Sequence, residues 1–534
     1  MALFNSQPAS VNATMGDTVG SAQDLSQRLG LYLISTIILV TILPIYKLLK
    51  IYSHDLPQNA PPVVKGNFPL SGAWGFWSAR WDWCKSVRDW SPTGNYSFHV
   101  GRHHVIGLSG DRGRQVFFDS KELGLVEGYA ALFGEAPSIQ ERDNLNGLDE
   151  HTSPFNRRMA WSQKTDQLQK ILPTVIADAR GGIETISQDP QGRTNPFDSI
   201  YRLVFKLTIR LVGAKELAED PILRRKFEGY FTMLDETAGP ISAMFPRFPW
   251  PSMIKRFYAG ARMYMILDQI VKKRQQRGKT VDDPLQNLLE RGDDMKSIVY
   301  FVTGALFAGQ LNTGVNAAYM LCYLAASPEW LGKIRAEVEE AAAKYGSKEP
   351  NASLLDKLSS LSLEVWESEF PLIQLCLRDS IRLNMPGVFF RKNLSSHSIP
   401  TGHGNEVIPP GSFPIYHVAD AHRDPEVWAE PDKWDPARYL PDRAEDKIKP
   451  RIYQGWGVGR HPCQGMRFAK LEVNIITAFF VAALDFAGGL EDENGSKLEE
   501  MENGNVNDIA NNVPKKPYFL RFSRRDDMSA KFAL

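Results

Sequence analysis

The stretch Gly455-Trp456-Gly457-Val458-Gly459-Arg460-His461-Pro462-Cys463-Gln464-Gly465 runs straight into the helical segment MRFAKLEVNIITAFFVAAL. Three glycines ahead of the cysteine let the backbone turn tightly and approach a flat ligand, and Gly465 frees the other side. The helix start that follows aims N–H groups at the sulfur, so Cys463 is placed to be a stabilised thiolate. Such a thiolate is a nucleophile, a redox switch or an axial metal ligand. Cys84, Cys322 and Cys376 have no comparable surroundings and read as buried, inert thiols.

Gly459, His461, Cys463 and Gly465 match the pattern Phe-x-x-Gly-x-Arg/His-x-Cys-x-Gly, with Trp456 where Phe is usual. The stretch thus resembles the haem loop of the cytochrome P450 family. The resemblance implies that Cys463 is the proximal ligand of a haem b iron, its thiolate pushing electron density onto the metal. It implies that His461 reaches a haem propionate, that Trp456 shields the sulfur, and that Gly459 belongs to the haem-holding turn.

The family's other motifs follow in order. HRDPEVWAEPDKWDPARYL resembles the stretch ending in Pro-x-Arg-Phe, and Arg438 lies 25 positions before Cys463. Asp379-Ser380-Ile381-Arg382 stands where the family has Glu-x-x-Arg; the i, i+3 spacing keeps both charges on one helical face. Asp379, Arg382 and Arg438 are expected to form a buried charge network whose geometry the shorter Asp alters. Arg391 in VFFRKNL resembles the strand arginine that pairs with a propionate.

On a long, nearly uncharged helix, Gly309-Gln310-Leu311-Asn312-Thr313 resembles the family's Ala/Gly-Gly-x-Asp/Glu-Thr. Thr313 matches the alcohol that helps hold dioxygen and relay protons. Asn312 replaces the usual acid, so it supplies no proton, although its amide can hold a relay water. Gln310 is expected to add a polar group near the distal face. Trp161-Ser162-Gln163-Lys164 is a loose counterpart of the family's Trp-x-x-x-Arg.

The chain has 534 residues, with 62 basic and 62 acidic side chains, 43% hydrophobic residues and 4 cysteines. Zero net charge argues against nucleic acid as a partner, because phosphate binding needs Lys and Arg without matching acids. The cysteines show no CxxC spacing, which argues against a disulfide scaffold or a closed zinc site. Apolar recurrence predicts helices over 160–185, 197–212, 254–275 and 296–326, and short strands over 96–107, 388–394 and 518–522. The fold class expected is mostly α with minor β (α+β), in the P450 arrangement of a large helical body with small sheets.

Residues 31–49 carry one charge and, as a helix, rise about 28 Å, the thickness of a hydrocarbon core. Basic Lys47, Lys50, His54 and Lys65 lie at or beyond its C-terminal end, placing the bulk of the chain in the cytosol. The organisation expected is a lumenal tail over 1–29 with a glycosylation site at Asn12, a transmembrane anchor over 30–50, a Pro-rich hinge over 51–64 and a haem-thiolate domain over 65–534. The localisation implied is the endoplasmic reticulum membrane, single-pass. The proline-broken segment 238–253 is expected to dip into the bilayer beside a substrate entry, and the polar segment 493–512 to be a surface excursion.

By family analogy, Tyr129, Phe133, Phe307, Val388 and Phe389 face the substrate. The resemblance implies a monooxygenase using dioxygen and electrons from NADPH, delivered by a reductase with a cytochrome b-type protein as a further donor. The substrate expected is hydrophobic, terpenoid or steroid-like, and of secondary metabolism, as in fungal members. Arg460, Arg467 and Lys470 are candidates for docking an acidic reductase surface. The alternatives are a haem-thiolate isomerase or dehydratase that needs no reductase, and a non-catalytic haem-binding protein.

Overall fold

The computed structural model describes residues 32–43, 46, 57–68, 72–132, 153–236, 251–278, 280–509 and 513–525. Asn12, Phe133, the ends of the expected anchor, residues 51–56 and most of the 238–253 segment lie outside the described residues. The chain divides into two compact units, residues 1–58 and 59–534. In the first, Tyr32–Ile42 is an apolar helix whose side chains are all exposed.

The second unit begins before the expected end of the hinge. The Val64 N–H donates to the Ser97 carbonyl at 2.9 Å and the Ser97 N–H to the Pro62 carbonyl at 2.9 Å, so the end of the proline-rich stretch is hydrogen-bonded into the body. There the chain forms α1 (Arg80–Trp90), the hairpin β1 (Tyr96–Val100) and β2 (His103–Leu108), α2 (Gly110–Asp119) and α3 (Leu125–Leu132). The expected strand over 96–107 is thus two strands, turned at Gly101 with φ +54°.

Helices α4 (Pro154–Ser162), α5 (Thr165–Ser187), α6 (Pro196–Val212), α7 (Pro221–Glu236) and α8 (Pro251–Gln276) follow. The expected helix over 160–185 is interrupted between α4 and α5. Ser153 caps α4, accepting from the Asn156 N–H, and Asn195 caps α6, accepting from the Phe197 N–H, with proline first in each helix.

The apolar run from residue 295 is α9 (Met295–Gly309) and α10 (Val315–Ala326), joined by one π-helical turn over Gln310–Gly314. Among the described residues this is the one helix long and apolar enough to cross a membrane. Residues 315–325 are all buried, so its all-round apolarity reflects the centre of the core. Around it pack α5, α6, α11 (Pro328–Tyr345), α12 (Pro371–Asn384) and, towards the C-terminus, Met466–Ala483.

The main sheet has four strands in the order β1-β2-β4-β3, where β3 is Val388–Phe390 and β4 is Phe413–His417. β4 runs parallel to β2 and antiparallel to β3. Sequence reading misses β4 because Pro414 sits within it, and a proline argues against a central strand. The Pro414 carbonyl still serves, accepting the Arg391 N–H at 3.0 Å. The helix Met466–Ala483, now α13, closes the core behind the cysteine loop.

Candidate functional site

The cysteine loop is held by backbone bonds. The Gly457 N–H donates to the Gln454 carbonyl at 2.9 Å, and the Cys463 N–H to the Trp456 carbonyl at 2.7 Å. Gly457 and Gly459 have φ of +69° and +64°. A Cβ on Gly457 would collide with the His461 carbonyl, and one on Gly459 with the Phe118 carbonyl, which also accepts the Arg460 N–H at 3.2 Å. Glycine is therefore required at both positions by space as well as by dihedral. On the far side of Cys463, a Cβ on Gly465 would meet nothing within 4 Å.

Cys463 is the exposed thiol among the four; Cys84, Cys322 and Cys376 are buried. The N–H groups of Gly465 and Met466 hydrogen-bond to its sulfur and favour the thiolate. Burial of the surroundings outweighs them and pushes the thiol's pKa up. A coordinating metal ion would deprotonate such a thiol outright.

Gln163, between α4 and α5, ties this loop to the body. Its amide donates to the Gln464 carbonyl, and its Oε1 accepts the Phe468 N–H at 3.1 Å, capping α13. Trp161 instead lies against the Arg291 guanidinium, 5.1 Å from ring centroid to Cζ.

Thr313 sits on the π turn and is buried. Ala308 and Asn312 are the exposed residues on this otherwise enclosed stretch. Asn312 Nδ2 donates to the Ala308 carbonyl at 2.8 Å, and the Asn312 carbonyl accepts from Asn316 Nδ2 at 2.8 Å. Gln310 is turned away from this opening. Fully buried, its Nε2 donates to the Tyr201 carbonyl at 2.5 Å, so it braces α6 rather than adding a polar group at the distal face.

Arg391 is buried, with Nη1 donating to the Phe390 carbonyl at 2.8 Å and the guanidinium 4.9 Å from the Phe117 ring. Gly128 of α3 lies flush on the Arg391 backbone; a Cβ there would stand 2.6 Å from its Cα. Tyr129 packs edge-on to Phe390 at 5.2 Å. Burial raises its pKa, and the Arg391 charge partly offsets that. The His461 N–H donates to the Val458 carbonyl at 3.4 Å.

Asp379, Arg382 and Arg438 lie together in the interior. Arg382 Nε donates to Asp379 Oδ1 at 2.7 Å, and Tyr439 Oη to the same oxygen at 2.9 Å. Arg438 Nε stands 3.5 Å from Asp379, while its Nη1 donates to Glu445 Oε2 at 2.7 Å. Both guanidiniums also donate to the Lys433 carbonyl, each at 3.0 Å. His422 links this network to the cysteine loop: Nδ1 bonds the Arg382 carbonyl at 3.1 Å, and Nε2 accepts the Gln454 N–H at 2.8 Å. That pattern fixes a neutral imidazole, and burial lowers its pKa to about 3.

Glu445, His422 and Gln163 were not singled out by sequence. Glu445 lies just beyond the recognised motif, His422 opens it, and Gln163 stands two residues after Trp161 in a stretch of ordinary polar residues.

Of the other expected residues, Val388 is buried, Phe389 packs on Phe118 at 5.4 Å, and Phe307 on Phe231 at 4.9 Å. Trp456 is half-buried against the core, with Lys470 Nζ 5.7 Å from its ring. Arg467 pairs with Glu367 at 2.6 Å, so its charge is neutralised locally.

A soft sulfur donor in a glycine-cleared turn, with a buried guanidinium elsewhere in the same unit, fits an iron porphyrin with Cys463 as its ligand. The comparisons agree. Residues 96–501 match the family model Cytochrome P450. The chain is 34% identical over 447 residues to the cytochrome P450 monooxygenase AacuE of Aspergillus aculeatus, covering 82% of this chain and 88% of that protein. It is 33% identical to the cytochrome P450 monooxygenase dmxR5 of a Cryptosporiopsis species, covering 89% and 91%. The sterol 14-demethylase of Arabidopsis thaliana is 31% identical over 52% of this chain and 56% of its own. The solved structure of retinoic acid-bound cyanobacterial CYP120A1 matches in fold, with a TM-score of 0.64 at 20% identity, over 88% of this chain and 100% of that one.

Proposed function

Because the chain belongs to the cytochrome P450 family and is a haem-thiolate monooxygenase supplied with NADPH electrons through a reductase, we propose that it hydroxylates a hydrophobic, terpenoid or steroid-like small molecule of secondary metabolism. The observation that carries the site reading is Cys463, the exposed thiol at the end of a turn that only glycines permit. Bound there, haem supplies the iron at which dioxygen is reduced and one oxygen atom passes to substrate.

The chain's own residues do the rest. Cys463 would give the thiolate, and His461 and Arg391 would hold the propionate carboxylates. The Thr313 hydroxyl passes a proton, and Asn312, whose Nδ2 is engaged by Ala308, offers its Oδ1 to a relay water. Tyr129, Phe133, Phe307, Val388 and Phe389 shape an apolar cavity, where contact area orients the substrate. The relatives named as monooxygenases favour this reading over isomerisation or passive haem binding.

In this reading residues 30–50 anchor the protein in the endoplasmic reticulum membrane, residues 1–29 with Asn12 are lumenal, and segment 238–253 touches the bilayer. An acidic reductase surface meets Arg460, with Arg467 contributing less because Glu367 neutralises it. The test is co-expression with a reductase in a host fed terpenoids and steroids. A product one oxygen atom heavier, absent without the reductase, supports the reading; turnover without the reductase overturns it.

A further inference from the structure

Three consecutive residues of the first turn of α1 meet residues far away in sequence. Arg80 is fully buried and donates from Nη1 to the Ile509 carbonyl at 3.3 Å. Trp81 packs on His417 at 4.7 Å, and His417 is the register partner of Val388. The Asp82 N–H donates to Asn507 Oδ1 at 3.1 Å, while Asn507 Nδ2 donates back to Asp82 Oδ2 at 2.9 Å. Asn507 thus caps a helix whose own N-cap, Ala79, provides no side-chain bond.

These contacts converge on Gly387. Its φ is +77°, and a Cβ there would lie 3.4 Å from the Ile509 carbonyl and 3.6 Å from Arg80 Nη1. The Gly387 carbonyl accepts the Val418 N–H at 3.2 Å. The other end of the same loop is fixed too: the Gly504 N–H donates to Asn384 Oδ1 at 2.8 Å, and Tyr323 Oη to Asn503 Oδ1 at 2.7 Å. Residues 501–509 are therefore a built element, not the expected surface excursion, because the Gly504 N–H bonds Asn384 at the end of α12, Asn503 bonds Tyr323, and Asn507 caps the start of α1.

We propose that residues 80–82, with Asn507 and Ile509, are a positioning clamp for the segment Gly387-Val388-Phe389, setting the shape of the wall that segment presents to substrate. The clamp rests on the reading of Val388 and Phe389 as substrate-facing. Loosening it changes how the cavity holds an organic ligand while leaving the iron and its thiolate untouched.

The test compares two iron ligands on the holoenzyme, each titrated by the Soret shift: imidazole, which reports the iron, and 4-phenylimidazole, whose ring reports the wall. Asn507→Asp removes the Nδ2 donor and sets two carboxylates against each other, and raises the 4-phenylimidazole Kd about three- to tenfold, the worth of about one hydrogen bond, with imidazole unchanged. Asp82→Ala, at an exposed position, removes the bond from Asn507 Nδ2, keeps the one donated by the residue 82 backbone N–H, and gives the same direction of change. The swapped double variant D82N/N507D keeps the bond from the residue 82 backbone N–H, re-forms the side-chain bond with donor and acceptor exchanged, and restores the wild-type ratio of the two constants. Val388→Ala is the control. If it shifts the ratio while Asn507→Asp and Asp82→Ala do not, the clamp is overturned. If Val388→Ala also leaves the ratio unchanged, the substrate-facing reading falls and the clamp with it.

Discussion

Glu445, not Asp379, is the near carboxylate of Arg438: Glu445 Oε2 accepts from its Nη1 at 2.7 Å, while Asp379 stands 3.5 Å from its Nε. Aspartate is one methylene shorter than the family's glutamate, and its two oxygens are taken up by Arg382, Tyr439 and the Asp435 N–H. Glu445 is itself held by Arg443. Glu445→Ala leaves the Arg438 guanidinium buried beside a carboxylate it barely reaches. Loss of one partner of a buried pair costs about 3–5 kcal/mol, so thermal unfolding of the holoenzyme should shift down strongly. An unchanged melting temperature would show that Asp379 suffices.

Cys463→Ser removes the sulfur and keeps the turn, since Gly457 and Gly459 carry the backbone constraints. The reduced protein with carbon monoxide should lose the red-shifted Soret band of a thiolate-ligated haem. A band that persists in the variant would place the ligand elsewhere.

Much of this site is legible in sequence because its motifs are local: a glycine spacing, an i, i+3 pair, a Pro-x-Arg turn. What escapes is held by long-range bonds between residues of ordinary type. Nothing in the run MENGNVNDI announces that Asn507 caps a helix 425 residues earlier, and a polar, asparagine-rich stretch reads as loop on composition alone. Gln310 misleads for the opposite reason. Its neighbours belong to a recognised motif, yet the π turn carries its amide to α6. β4 is hidden by Pro414, whose missing N–H is no loss where only its carbonyl is needed.

Thr313→Ala should separate electron use from product formation. The hydroxyl's part is proton delivery, worth about 10²-fold or more, while haem binding depends on residues elsewhere. With a substrate in hand, NADPH consumption should continue as product falls and hydrogen peroxide rises. Product and NADPH falling in equal proportion would assign Thr313 to substrate binding alone.

Deleting residues 1–50 should leave haem content and the carbon monoxide band unchanged, because the body begins at Asn59 and holds every residue of the site. The truncated protein should move from the membrane to the soluble fraction. Unchanged sedimentation would shift the attachment to segment 238–253.

His422 gives the fold an acid-side weakness. Its imidazole accepts the Gln454 N–H and bonds the Arg382 carbonyl, so protonation breaks the link between the charge network and the cysteine loop. Its folded pKa of about 3 lies below the ordinary histidine value of about 6.5. Between these values the unfolded chain binds the proton and the folded chain does not, so this group's stability is present above about pH 6.5 and is lost as pH falls towards 3. Glu337, pushed up to about 7 by burial, slopes the other way: its share is present below the ordinary glutamate range and lost as pH rises through 7. The difference between variants isolates the histidine. His422→Gln cannot gain a proton, so although less stable at pH 7.5, it should lose stability and haem less steeply between pH 6.5 and 5 than the wild type. Parallel pH profiles for the two proteins would mean that His422 is not the group that titrates.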